Sequence, residues 1–490
     1  MTGDTIPQAR GGNGLNAAAT EDSTFSRLPL HLNEREYGPL SAHGTCFAYA
    51  IATWCFLVGS YTADLVGAVE GTVCLIAGNL IGVFLTTMPL SIGCQRYGLE
   101  QMDFCKGAFG QHGSHVVLVF YLINMLGWSG LLLVMFGNGV FNIGNALELN
   151  PGQWIVGAGV AAGIALSFLV VYRGVERLGM VNNLVTPALG LVVIYMIYML
   201  VTNYGWETIV TAKPLAPGPD ARLNYATALE LGIANGFSWW GGIGFIARNT
   251  RTRRAATYPQ VLQLGLASGV VSSIALYSAL VVGSDDPTKW MVPLGGLFMG
   301  LIALGFVALA NVTSTGVSIF ASGLALRHIP GLKRRPWWQI LFITILPCCF
   351  FIFWAQELYS MGDAFLAYNG TMYAPISGVL FVDFFVLRKQ RLCLKSIFDN
   401  APHGAYYYWK GFNWLALGSV VLGQATYFAL YNPISGDAHW LFIYLPASLA
   451  AFAVPAAIYW IGMRVLNVRL EARPRDAAAD DGRRLVAPNI

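Results

Sequence analysis

Two adjacent tryptophans set among glycines are the residues of this sequence best suited to bind a ligand. Trp239 and Trp240 follow Ser238 in the stretch NGFSWWGGIGFIARNT, from Asn235 to Thr250. Indole rings offer flat apolar faces on which a planar ligand can stack. The stretch has four glycines within nine positions, and each costs a helix roughly 1 kcal/mol relative to alanine. The pattern predicts an interrupted helix beside an aromatic binding site.

A purely structural interpretation of the same stretch stays open. Small residues let membrane helices pack closely, and tryptophan is common at both faces of a membrane. On that interpretation the glycines serve packing and the two indoles belong to an interfacial belt.

Hydroxyl side chains cluster in two other apolar stretches. In WCFLVGSYTADLVG, Ser60 and Tyr61 directly follow Gly59, where we expect a second interrupted helix. In ALANVTSTGVSIFASG, four hydroxyls lie within two turns: Thr313, Ser314, Thr315 and Ser318. Hydroxyls beside carbonyls freed by a helix break can ligate a monovalent cation. Two alternatives stay open, since Ser and Thr also bond to their own i−4 carbonyls and a single glycine is ordinary in a membrane helix.

Acidic residues are few in the apolar stretches. Asp64 is either an intramembrane proton relay or cation ligand, or a solvated residue at an outer mouth, and we favour the second interpretation. Glu230 lies nearer a segment end, so we expect it to be solvated. Asp383 lies about one turn before Arg388, which predicts an ion pair that closes a helix end.

Trp128 lies in the apolar stretch NMLGWSGLLLVMFGNG, too deep for an interfacial belt. Its indole N–H therefore needs a partner. The ring either faces a ligand across a cavity from Trp239 or Trp240, or packs in the core.

The elements that position these residues are membrane-spanning helices. Of the 490 residues, 56% are hydrophobic and 11% charged, whereas soluble domains have about 25% charged residues. The eight cysteines show no CxxC or metal spacing and are expected to be buried thiols. A span needs roughly 20 apolar residues. Twelve such segments are present, centred near Trp54, Ile81, Met125, Ala162, Leu191, Ile233, Leu266, Val307, Ile345, Leu380, Val420 and Ala451.

The placement of the basic residues orients these spans. With the N-terminus inside, 26 of the 29 Lys and Arg fall in inner segments, and only Lys213, Arg222 and Lys289 fall outside. The positive-inside rule therefore predicts that both termini are cytoplasmic and that the protein is a multi-pass plasma (inner) membrane protein.

The chain resembles the nucleobase–cation symporter family, which includes cytosine, purine, uracil, allantoin and hydantoin permeases. The resemblance runs from about Gly44 to Arg464. It rests on PISGVLFVDFFVLRKQR, on the aromatic stretch that runs into NTRTR, and on Gly127–Trp128. It implies an all-α, LeuT-type fold: two inverted five-helix repeats and two further helices, with the first and sixth spans broken. The implied division is repeats at 45–205 and 206–390 and two extra helices (391–464). The polar composition of residues 1–44 and the charged, Ala-rich composition of residues 465–490 predict a cytosolic N-terminal tail and a disordered cytosolic C-terminal tail.

By resemblance, a planar heterocycle is held between Trp128 and Trp239, with Trp240 as the fallback if the register shifts. The further substrate contacts implied are Tyr61, Ser238, Thr315 and Ser318, with Asn311 replacing Thr315 if the eighth span slips by one turn. The implied sodium site uses carbonyls of Leu57, Ser60 and Ala310 and side chains of Thr313 and Ser314. Two positions depart from the family: Leu132 stands where some members have an amide, and Arg248 replaces an acid.

We therefore predict a secondary active symporter, not an enzyme, that imports a small planar nitrogen heterocycle with Na⁺ or H⁺. A LeuT-type carrier for an amino acid or amine is the alternative. No HExxH motif, histidine cluster or ATP-binding loop is present. We expect no cofactor apart from Na⁺ as a coupling ion and no nucleic-acid partner. The expected form is a monomer in the lipid bilayer.

Overall fold

The structure is a computed structural model that describes residues 29–172, 175–333, 335–399, 401–402 and 404–466, without the side chains of 175–184. Much of the predicted N-terminal tail and nearly all of the predicted C-terminal tail lie outside the described residues. Helical structure begins within the predicted N-terminal tail, because the first α-helix starts at Pro39.

The named elements of the described chain are all helical. Nineteen α-helices follow one another: α1 Pro39–Ala50, α2 Trp54–Leu65, α3 Ala68–Tyr97, α4 Gln101–Phe109, α5 Ser114–Ala146, α6 Trp154–Tyr172, α7 Val175–Met199, α8 Trp206–Thr211, α9 Ala221–Ser238, α10 Trp240–Arg248, α11 Arg253–Pro259, α12 Ser268–Val282, α13 Met291–Leu326, α14 Trp337–Ile345, α15 Ala355–Ser360, α16 Gly362–Phe381, α17 Leu394–Phe398, α18 Trp414–Leu430 and α19 Ala447–Val465. Wider π-helical turns follow α7, α11 and α16, at Leu200–Tyr204, Gln260–Ala267 and Val382–Leu387.

Each of the twelve predicted span centres falls in a helix. In the part of the chain that is described, eight helices are long and apolar enough to cross a membrane, and a ninth span results if the bent pair α1–α2 counts as one. Helices α14 and α18 are apolar but shorter, and the predicted sixth span is divided between α9 and α10. The count of twelve therefore stays a prediction.

Glycines bring α3 and α9 into close contact. A Cβ on Gly82 would lie 2.3 Å from the Ile233 carbonyl oxygen, and one on Gly236 would lie 2.5 Å from that of Asn79. Such close approach is a common way for membrane helices to associate. The Asn235 amide reinforces the contact, because its Nδ2 donates to Asn79 Oδ1 at 2.9 Å. The structural interpretation of the glycine-rich stretch therefore holds for Gly236.

The N-terminal segment before α1 lies across the ends of α3 and α10. The Arg35 guanidinium donates to the carbonyl oxygen of Gln95 at 2.6 Å and to that of Thr250 at 3.2 Å. Tyr37 pairs with Thr250 in a parallel bridge. Burial and the nearby Arg248 lower the pKa of Arg35 to about 10. This segment is thus fixed to the helices that surround the cavity described below.

All eight cysteines are free, and seven are buried. They are therefore core residues, as the sequence predicts.

Candidate ligand-binding site

A cavity of about 580 Å³ lies between the helices. Its walls come from α1, α2, α4, α5, α7, α9, α10 and α13 and from the π-helical turn after α11. One part of the lining is aromatic and includes Trp54, Trp128 and Trp239, whereas another part carries Glu100, Arg248 and His328, where α3, α10 and α13 end. We call these two parts the aromatic end and the charged end.

The first helix break forms part of the cavity wall. Helices α1 and α2 are bent by 46° at Ile51–Thr53, where the carbonyl oxygens of Ala52 and Thr53 accept from backbone N–H groups three residues further on. The prediction of a break at Gly59 is wrong, because Gly59 lies inside α2. A Cβ on Gly59 would lie 2.1 Å from the Ser272 carbonyl oxygen. This glycine therefore serves close packing of α2 against α12.

The second break lies where the glycine-rich stretch predicts it. Helix α9 ends at Ser238 and α10 begins at Trp240, so the interruption is confined to Trp239, whose backbone angles (φ −63°, ψ −11°) stay in the right-handed helical region. Gly242 lines the cavity, and a Cβ there would meet nothing within 4 Å. The two interruptions therefore both border the same cavity.

Three indoles form the aromatic end. The ring of Trp54 contacts that of Trp239, with centroids 5.5 Å apart and planes at 83°. It also contacts that of Trp128, with centroids 6.3 Å apart and planes at 68°. Phe365 packs edge-on against Trp128 at 5.4 Å. Trp54 is absent from the site residues predicted from the sequence; with the break placed at Gly59, nothing singles it out.

Six of the predicted site residues line this cavity: Trp128, Ser238, Trp239, Thr313, Ser314 and Ser318. Trp240 does not, because one helical position turns it away from Trp239. It is fully buried and stacks on Tyr373 with centroids 5.1 Å apart. Thr315 and Ala310 are buried outside the cavity lining.

Tyr61 lies in a separate, smaller cavity of about 100 Å³, together with Asp64 and Asp363. Its hydroxyl donates to the Tyr359 carbonyl oxygen at 3.4 Å. Asp64 is partly exposed, one residue before the end of α2. The structure therefore does not bring Tyr61 to the aromatic end.

Two of the predicted carbonyl ligands also lie away from the break. Leu57 and Ser60 are inside α2, and the Ser60 hydroxyl donates to the Leu57 carbonyl oxygen at 2.8 Å. The contact between the broken span and α13 is made earlier in the chain, where the Thr53 hydroxyl donates to Asn311 Oδ1.

The hydroxyls of α13 mostly bond within their own helix. Thr313 Oγ1 donates to the Ala310 carbonyl oxygen at 2.9 Å, and Ser318 Oγ donates to that of Ser314 at 3.2 Å. The Thr315 hydroxyl is buried without a hydrogen-bond partner in the described structure. Thr313 and Ser318 therefore donate to carbonyl oxygens of their own helix, as the alternative interpretation of the sequence expects. Their hydroxyl oxygens can still accept a hydrogen bond or ligate a cation.

The charged end consists of polar contacts around an ion pair. His328 Nε2 lies 3.0 Å from Glu100 Oε2, and Lys106 Nζ lies 2.7 Å from Asp103 Oδ1. Arg248 reaches the same region, where its Nε donates to the Gly98 carbonyl oxygen at 3.1 Å. Glu100, Asp103 and His328 are close enough to share a metal ion. Lys106 already pairs with Asp103, so we assign polar contacts around this ion pair, and no metal, to this end.

Glu230 corrects an expectation from the sequence. It is fully buried rather than solvated. Its carboxylate accepts bonds from the hydroxyl of Ser448 and from the Ser448 backbone N–H, the latter at 3.1 Å. Ser448 is the second residue of α19, so the carboxylate satisfies donors that a helix N-terminus leaves free.

The ion pair predicted between Asp383 and Arg388 is confirmed. Arg388 Nε lies 2.8 Å from Asp383 Oδ2, and both side chains are buried. The Tyr459 hydroxyl also donates to Asp383 Oδ1 at 2.9 Å. The pair therefore joins the end of the α16 span to α19.

The family profile and the relatives that match this chain all describe permeases. A family profile described as permease for cytosine/purines, uracil, thiamine and allantoin matches residues 47–460. The hydantoin permease of Microbacterium maritypicum is 22% identical over 437 residues, covering 82% of this chain and 83% of the relative. The allantoin permease of Bacillus subtilis (strain 168) is 24% identical over 395 residues, covering 69% and 73%.

The fold is also similar to that of solved transporters. The inward-facing conformation of Mhp1 matches with a TM-score of 0.76 at 18% identity, covering 93% of this chain and 96% of that one. The predicted all-α, LeuT-type fold is confirmed by this likeness together with the helical architecture.

Proposed function

The chain belongs to the family of permeases for cytosine/purines, uracil, thiamine and allantoin, and from this we propose that it imports a small planar nitrogen heterocycle together with Na⁺ or H⁺. It is a transporter and not an enzyme. The observation that carries the proposal is the cavity whose aromatic end adjoins both interrupted helices. Binding sites at such interruptions, near the middle of the membrane, are typical of secondary transporters.

The aromatic end suits a neutral ring. Trp128 and Trp239 supply faces for stacking. The Trp239 indole N–H is buried without a partner in the described structure, so it is free to donate to a ring carbonyl or nitrogen of the ligand. Polar oxygens of Ser238 and Ser318 also line the cavity. Substrate contacts at these residues would balance the desolvation of a heterocycle.

The amino-acid or amine alternative is less well supported. The charged residues among the described cavity lining are Glu100, Arg248 and His328, and they all lie at the charged end. A zwitterion or ammonium ion at the aromatic end would have no described opposite charge beside it, which is costly. The absence of a charged residue from the described lining of the aromatic end therefore favours the uncharged heterocycle as the substrate.

For a coupling cation, we propose a site between the first break and α13. The hydrogen bond from Thr53 to Asn311 brings the break within about one turn of Thr313 and Ser314. Backbone carbonyls of Ile51–Thr53 then replace those of Leu57 and Ser60 as ligands, together with Ala310. Cation and heterocycle would each tighten the binding of the other.

For the placement in the cell, the positive-inside pattern supports a plasma (inner) membrane protein with both termini cytoplasmic. The charged end of the cavity then faces the cytoplasm, because α3, α10 and α13 end there. We propose a monomer as the transporting unit.

Uptake tests the proposal directly. Cells that express the protein are given radiolabelled cytosine, uracil, a purine, allantoin or hydantoin, in sodium or in choline medium at two external pH values. We expect accumulation of at least one compound above vector-only cells, with a dependence on either sodium or pH. If none accumulates although folded protein reaches the membrane, the substrate class is wrong.

A further inference from the structure

Trp54 occupies a special position in the chain. It is the first residue of α2, directly after the break at Ile51–Thr53. Its indole lines the cavity and contacts the rings of both Trp128 and Trp239. No other residue of α2 lines this cavity among those described. The broken span therefore presents one large side chain to the aromatic end.

The Trp54 ring is not parallel to the rings of Trp128 and Trp239, so it is not oriented to stack on the same ligand face. Its plane makes 83° with that of Trp239 and 68° with that of Trp128. A ring that stacks on Trp128 or Trp239 therefore meets Trp54 with its edge. Contact of this kind limits how far a ligand extends in the plane of its ring.

Trp54 is also held in place. Its Nε1–H donates to the Tyr49 carbonyl oxygen at 3.1 Å, across the break. The rings of Tyr49 and Trp54 are also stacked, with centroids 6.1 Å apart and planes at 8°. Because its one polar group is already bonded, Trp54 presents an apolar surface to the cavity. Trp239 differs, because its N–H has no partner among the described residues. A fixed apolar wall discriminates by size and not by hydrogen bonding.

We infer that Trp54 sets the largest heterocycle that this transporter accepts, because its indole forms a fixed third wall across the aromatic end. This inference rests on the proposed function. Small rings fit between the stacking faces and this wall, whereas rings with bulky in-plane substituents meet the Trp54 indole. Replacement of the indole by a smaller side chain opens space on that side.

The experiment compares ligands of one ring type and increasing bulk. Wild-type protein and the variants Trp54→Phe, Trp54→Leu and Trp54→Ala are purified. Their dissociation constants are measured for hydantoin and for its 5-ethylidene, 5-benzylidene and 5-naphthylmethylidene derivatives, in which the exocyclic double bond at C5 holds the substituent in the plane of the ring. The measurement is repeated with a second uncharged ring system, uracil and 5-benzyluracil.

We expect the ratio of affinities, bulky over small, to rise at least tenfold in Trp54→Ala and by an intermediate factor in Trp54→Phe. A change of this size is typical when a hydrophobic pocket gains or loses the room for a few carbon atoms. A ratio that stays within twofold of wild type in all three variants overturns the inference.

A structural role alone predicts a different result. If Trp54 served only to hold the break, its variants would weaken all ligands alike and leave the ratio unchanged. Trp440→Leu is the matched control, because Trp440 is an exposed tryptophan outside the cavity lining; its ratio should equal that of wild type. Wild-type protein that binds none of these rings refutes the proposed function instead, which separates the two failures.

Discussion

Thr53 and Asn311 are hydrogen-bonded through their side chains, although 258 positions separate them in the chain. Both residues are almost completely buried, at 0% and 1% exposure. Thr53 is the last residue of the break between α1 and α2, and Asn311 lies in the middle of α13. This bond therefore joins the two elements between which we place the cation.

Replacement of Thr53 by valine keeps the shape of the side chain and removes the hydroxyl. Asn311 Oδ1 then loses its donor in a buried place, where an unsatisfied polar group costs about 1–3 kcal/mol. We expect a lower thermal midpoint for purified Thr53→Val and a near wild-type midpoint for Thr53→Ser, which retains the hydroxyl. Equal midpoints for all three proteins would show that the bond contributes nothing to stability.

The double variant Thr313→Ala, Ser314→Ala tests the cation site. Both residues line the cavity, and their hydroxyls are the side-chain ligands that we propose. We expect the sodium-dependent part of heterocycle uptake to disappear, measured against choline medium at equal amounts of folded protein. The control is Ser419→Ala, which removes a hydroxyl bonded to the Leu415 carbonyl oxygen in α18. A full sodium response in the double variant would exclude both residues from the site.

Asp383→Asn should destabilise the protein strongly. The substitution leaves the buried guanidinium of Arg388 without its counter-charge, and removal of one partner from a buried ion pair costs roughly 3–5 kcal/mol. The readout is the thermal midpoint in detergent. Lys289→Gln is the control, since its 4.0 Å contact with Asp286 is made by a side chain that is 57% exposed, where such pairs contribute less than about 1 kcal/mol. Similar shifts for the two variants would contradict the structural role of the buried pair.

The spans and the approximate site were predictable because they depend on local properties of the sequence. Long apolar segments locate helices by composition alone, and the interruption at Trp239 follows from the dense glycines around it. The break in the first span was not predictable in the same way. No glycine or proline marks Ile51–Thr53, whereas Gly59 serves contact with α12. A glycine that permits a break and a glycine that permits close packing look alike in a single sequence.

The burial of Glu230 shows a second limit. Because Glu230 lies near the end of an apolar segment, the sequence predicts that its side chain is solvated. In the structure its carboxylate instead accepts from Ser448, 218 positions later. Only the three-dimensional arrangement of α9 and α19 reveals that contact. The choice between Trp239 and Trp240 depends similarly on helix rotation: one lines the cavity and the other stacks on Tyr373.

The carboxylate of Glu230 makes the last helix indispensable to the integrity of the whole chain. A truncated protein that stopped before α18 would lack the Ser448 hydroxyl and backbone N–H that donate to this acid, which lies within a membrane-spanning bundle where a charge is expensive. The C-terminal pair is therefore no dispensable extension of a ten-helix carrier. A minimal version of this transporter would have to replace Glu230 with an apolar residue before α18 and α19 could be removed.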